Sequence, residues 1–128
     1  MSTRTAIHDH RGTPQGAHMA DVFLYLTTTG RTTGQPREIE IWFVEHADHH
    51  YLVAQNREKS QWVQNLQADP QISFCVGTRE DHGSVRKPHR GHGRVVDVER
   101  EPELVAAVKA LMDKKYNWSD GLVVELGG

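Results

Sequence analysis

The chain has a single cysteine, Cys75, so no disulfide can close within it, which suits a reducing cytoplasm. Excess positive charge is also missing: 15 Lys and Arg stand against 17 Asp and Glu, a net −2 with histidines neutral. A general nucleic-acid binder is normally basic, so this balance counts against that class. No apolar run approaches the roughly 20 residues that a membrane-spanning helix needs. The opening "MSTRTAIHDHRGTPQG" lacks the apolar centre of a signal peptide. It is polar and holds glycine, proline and charge, so residues 1–20 read as a flexible arm ahead of one domain at 21–128. No serine stands in a nucleophile elbow, so nothing points to hydrolase chemistry. No His-Glu-x-x-His or paired cysteine occurs. The histidines, among them His8, His10, His46, His49, His50, His82, His89 and His92, fall in loops and the tail and read as surface groups, not a metal site.

What is present is a series of short strands. Residues 22–29, "VFLYLTTT", are rich in aromatic and β-branched types. "GRTTGQP", 30–36, is the turn, since Gly30 and Gly34 can take positive φ and Pro36 cannot donate to a ladder. Residues 37–45 return as one strand, with Arg37, Ile39, Ile41 and Phe43 on one face and Glu38, Glu40, Trp42 and Val44 on the other. Further strands are expected at 51–56, 71–77, 94–99 and 121–126, with a long charged loop over 78–93. A short helix follows Ser60, a natural N-cap, with Trp62, Val63 and Leu66 as its apolar stripe and Pro70 beyond its end. "EPELVAAVKALMDKKY" is the clearest helix, with Pro102 in its first turn and Leu104, Val108, Leu111 and Met112 along one side. Six strands and two helices imply a mainly β fold, a small antiparallel barrel of six strands with helices on its outside or ends.

Two loops hold more polar chemistry than a turn requires. "TTTGRTTGQPR" offers hydroxyls, backbone N–H groups and the guanidinium groups of Arg31 and Arg37, a set suited to phosphate or carboxylate. No Gly-Lys-Ser/Thr follows, so it is not a Walker loop. "QNREKSQW" joins a strand to a helix start, where free N–H groups favour an anion, with Arg57 and Lys59 just before it. Read as spacing alone, each is equally a solvated loop. Tyr116 and Trp118 could stack on a ligand ring or pack the helix end. Cys75, in an apolar strand, reads as an inert core thiol.

The order "LYLTTTGRTTGQPREIEIWFV", "YLVAQN", "WVQNLQADPQISFCVG" resembles the deazaflavin-dependent nitroreductase family, within the pyridoxamine-phosphate-oxidase-like flavin-binding split barrels. The threonine-rich strand with its Gly-Arg turn and Gly-x-Pro-Arg, and the Trp-x-x-Asn-Leu-x-Ala-x-Pro run, carry the resemblance over Leu24 to Gly77. Where relatives often have a longer glycine-rich loop before the tryptophan, this chain has the short "QNREKSQ". The resemblance implies a homodimer, each copy a six-stranded antiparallel split barrel, and an oxidoreductase using the deazaflavin coenzyme F420, with FMN as the alternative. A hydride would pass to an electron-poor acceptor such as a quinone, nitroaromatic or enone. A non-enzymatic flavin- or haem-binding carrier is the competing class. The implied cofactor contacts are Thr28, Thr29, Arg31, Arg37, Ile39, Ile41, Gln55, Asn56, Arg57, Lys59 and Trp62. The proton donor is open between solvent and Tyr116.

Overall fold

The computed structural model describes residues 22–78 and 88–127. The elements are β1 (Phe23–Thr29), β2 (Pro36–Ile41), β3 (Val44–His46), β4 (His49–Ala54), a 3-10 turn (Arg57–Lys59), α1 (Gln61–Ala68), β5 (Gln71–Gly77), β6 (His89–Val95), α2 (Pro102–Tyr116) and β7 (Leu122–Gly127). The expected arm at 1–20 lies outside the described residues.

All strand pairs are antiparallel, and the order is β2-β1-β5-β6-β7-β4-β3. The two strands at the ends of this order are consecutive in the chain. Only Trp42 and Phe43 separate them, a span of about 11 Å at full extension. A flat sheet would hold its outer strands much farther apart. The sheet therefore curls until its edges nearly meet, which makes it a split barrel.

The return strand expected over 37–45 is divided in two, giving seven strands. Alternation fails there: Ile41, Trp42, Phe43 and Val44 are all buried. The Phe43 backbone also leaves the ladder. Its N–H donates to the Tyr116 hydroxyl at 3.2 Å, and its carbonyl accepts from that hydroxyl and from Lys115 Nζ, each at 3.0 Å. Side chains of α2 thus satisfy the polar groups that a continuous strand would have paired.

The strand expected at 94–99 is also corrected. It is His89–Val95, and the chain turns at Asp97, whose carbonyl accepts from Arg100 and Glu101 N–H. "HRGHGRV" has weak strand propensity, but β5 and β7 pair it on both sides. Gly93 faces α1: a Cβ there would lie 2.3 Å from Leu66 Cδ1. Leu66 is itself enclosed in the core. Gly93→Ala is expected to cost about 1–3 kcal/mol by overpacking, read as a lower urea midpoint with unchanged slope.

Two apolar clusters fill opposite faces of the sheet. Phe23, Tyr25, Trp42, Tyr51 and Val123 pack beneath Val105, Val108, Met112 and Tyr116 of α2. Leu24, Leu26, Ile41, Phe43, Leu52 and Phe74 pack with Trp62, Val63 and Leu66 of α1. Cys75 is buried in the first cluster. Neighbouring residues of β1 enter different clusters, as the period of two requires. Arg94 fastens the α2 end of the sheet, donating to Glu101 at 2.6 Å and to Glu125 of β7 at 2.8 Å.

Candidate functional site

The β1–β2 hairpin and α1 enclose a cleft of about 380 Å³. The hairpin is closed by Gly30 N–H to Gln35 O and Gly34 N–H to Gly30 O, both 2.8 Å, with Gly34 at φ 73°. This turn projects Arg31, Thr32 and Thr33 toward α1, where they line the cleft with Arg37, Glu38, Ile39, Gln61, Trp62 and Asn65.

The two arginines differ. Arg31 is committed to the protein: its Nη1 donates to Asn65 Oδ1 at 2.7 Å, its backbone N–H to the same oxygen at 3.2 Å, and its Nη2 to Gln61 Oε1 at 2.8 Å. Asn65 is buried and also donates to the Thr28 hydroxyl at 3.4 Å. One amide thus joins strand, hairpin and helix. Arg37 is exposed, lines the same cleft and has no ion pair among the described residues. Trp62 lines the cleft from a largely buried position, and its Nε1, like that of Trp42, is enclosed without an acceptor among the described residues.

The second cationic loop opens elsewhere. Gln55, Asn56, Arg57, Glu58 and Lys59 line a hollow of about 490 Å³. Arg57 Nη2 donates to Asp120 Oδ1 at 2.7 Å, an exposed pair, and its backbone sits at φ 51°, uncommon without glycine. Ser60 stands at the N-cap but makes no capping bond with its side chain.

The remaining expected contacts fall in different environments. Thr29 and Ile39 are half-buried. Thr28 reaches only as far as Asn65, and Ile41 lies in the core at 1% exposure. Tyr116 is 3% exposed and stacks on Trp42 with centroids 4.2 Å apart. Burial pushes its hydroxyl above the usual phenol range, against the Phe43 hydrogen bond. Trp118 meets Trp42 edge-on. Both belong to the packing of the α2 end.

Asn65 and Gln61 are the cleft residues that composition and periodicity pass over. The signal for Asn65 is an amide set at helical spacing beside Trp62 and Leu66, on a face that is otherwise apolar. Asn65→Leu is expected to cost about 1–3 kcal/mol, because Arg31 loses its buried acceptor. Urea unfolding of the variant measures this directly.

A curled antiparallel half-barrel of seven strands with two helices defines a split-barrel protein. The chain belongs to the F420H(2)-dependent quinone reductase family, whose sequence profile matches residues 2–112. No individually curated protein matches it. Among solved structures, the conserved hypothetical protein Rv2991 from Mycobacterium tuberculosis is 22% identical, with 83% of this chain and 72% of that one covered and a TM-score of 0.58. HutZ, the haem storage protein from Vibrio cholerae, is 18% identical over 98% of this chain and 89% of its own, with a TM-score of 0.60. An F420 reductase is 18% identical over 83% and 85%, with a TM-score of 0.54. At these identities the structural likeness shows the fold alone. The family match makes the chain a member of a deazaflavin-dependent oxidoreductase family.

Proposed function

We propose that this protein binds F420 with the coenzyme's anionic end in the cleft between the hairpin and α1, and reduces a quinone-like acceptor. The observation that carries the reading is a cleft in which Arg31 and Arg37 outnumber the carboxylate of Glu38, and in which Arg37 has no ion pair among the described residues. An anionic group fits this set, whereas an apolar ligand would take water from Arg37 and return no partner. When bound, reduced F420 supplies a hydride to an electron-poor acceptor.

The chain's own residues then bind, orient and exclude water. Arg37 attracts the negative charge, and the Thr32 and Thr33 hydroxyls are donors at the same wall. The Arg31–Asn65–Gln61 network keeps hairpin and helix in register, so the cleft is formed before the coenzyme arrives. At the second hollow Lys59 is the cation left for further negative charge along the same coenzyme, since Arg57 pairs with Asp120 and Glu58 lines the same wall. Ile39 borders the first cleft, Gln55 and Asn56 border the second hollow, and Thr28 supports Asn65 from beneath. Solvent supplies the proton, since Tyr116 is enclosed. We also assign a homodimer and a cytoplasmic setting to this reading.

Anaerobic mixing of the protein with reduced F420 and menadione tests it, with fluorescence of the oxidised coenzyme as the signal. Saturable turnover is expected. Tight coenzyme binding without turnover on quinone, nitroaromatic or enone would make the protein a carrier. Binding of FMN alone would move it to the flavin class, and binding of neither would end the proposal.

A further inference from the structure

The other end of β1 opens onto a different cavity. It measures about 760 Å³ and is walled by Val22, Phe43, Val44, Val76 and Leu111, with Lys114, Lys115 and Glu45 at its rim. β1 has seven residues, about 20 Å at strand rise, so this cavity is separate from the hairpin cleft. Its size and mostly apolar wall fall in the range of small-molecule sites.

Its charges are unbalanced. Lys115 Nζ lies 4.1 Å from the Phe43 ring centroid and 3.0 Å from the Phe43 carbonyl, which occupies one of its three protons. Neither Lys114 nor Lys115 has a carboxylate within ion-pair distance among the described residues. Glu45, the acidic group at the rim, lies 3.5 Å from His50 Nε2. Burial lowers the pKa of Lys115, with Glu45 opposing. An ammonium is thus held partly out of water at the edge of an aliphatic wall, and the proposed hydride transfer does not use it.

We propose that this cavity binds a small apolar carboxylate, its body against Val22, Val44, Val76 and Leu111 and its carboxylate at Lys115 and Lys114. A neutral apolar ligand would leave the lysine charge desolvated and unmatched, and inorganic phosphate would leave the aliphatic wall wet. A second copy of the chain is disfavoured, because a two-fold contact would bring both pairs of lysines to one patch.

The test titrates the full chain with 2-naphthoate, followed by naphthyl fluorescence, beside its neutral counterpart 2-naphthalenemethanol. Saturable 1:1 binding of the carboxylate is expected, with the alcohol about tenfold weaker or worse, the loss of one charge-assisted hydrogen bond. Lys115→Met should weaken naphthoate by a similar factor, and Leu111→Trp should fill the cavity and abolish binding. Circular dichroism checks that both variants fold. If either does not, the carboxylate–alcohol comparison still decides. Equal affinity for acid and alcohol, or naphthoate binding unchanged in Leu111→Trp, would overturn the proposal. So would sedimentation showing that Leu111→Trp splits a dimer, which would make this face a contact between copies.

Discussion

Arg37→Glu is expected to weaken F420 binding by about 100-fold or more at low salt. Arg31 compensates only in part: its charge stays in the cleft, but Asn65 and Gln61 hold two of its five donors and fix its position. Reversal removes an attraction and adds a repulsion across the same cleft. At about 4 Å and an effective dielectric near 20, a unit pair is worth roughly 4 kcal/mol. Exposure and counterions reduce this to about 3 kcal/mol, or some hundredfold in affinity. The effect should shrink as salt rises. Arg57→Glu should cost less, since Arg57 is engaged with Asp120. Fluorescence titration of the three proteins ranks them, and affinities within about threefold would remove Arg37 from the site.

Tyr116→Ala is expected to lower folding stability by about 3–5 kcal/mol, the loss typical of a buried aromatic. The ring is stacked on Trp42 at an interplanar angle of 7°, so its removal leaves a cavity beside a second large side chain. The hydroxyl also holds both backbone groups of Phe43 at the point where β2 gives way to β3. Tyr116→Phe keeps the stack and loses only the hydroxyl, for about 1–3 kcal/mol. Lys115 still serves the Phe43 carbonyl, but the N–H loses its acceptor. Urea melts separate the two variants. The same Phe variant tests the chemistry: well below its transition it should retain kcat. A folded Tyr116→Phe protein with kcat down a hundredfold would make Tyr116 the proton donor after all.

The hairpin, both helices and a mainly antiparallel barrel follow from local features: period-two alternation, a turn with Gly30 and Gly34, and apolar stripes at helical spacing; the split form comes with the family resemblance. What local reading cannot reach is decided by distant partners. The strand over 37–45 divides because Tyr116, 73 residues away, takes up the Phe43 backbone. Residues 89–93, polar and glycine-bearing, become strand because β5 pairs His89–His92, β7 takes over from His92, and α1 needs the space above Gly93. The cations show the same limit. In the sequence Arg31, Arg37, Arg57 and Lys59 are equivalent charges near two tips. The fold sorts them into two hollows and commits Arg31 and Arg57 to protein partners. Asn65, 34 residues from Arg31, makes that difference.

The location of the coenzyme is tested most directly by following backbone amide resonances during titration with F420. The account predicts the largest shifts at residues 30–37 and 61–65, with smaller ones at 55–59. Shifts concentrated at 43–45 and 111–115, with the hairpin and α1 unmoved, would contradict it.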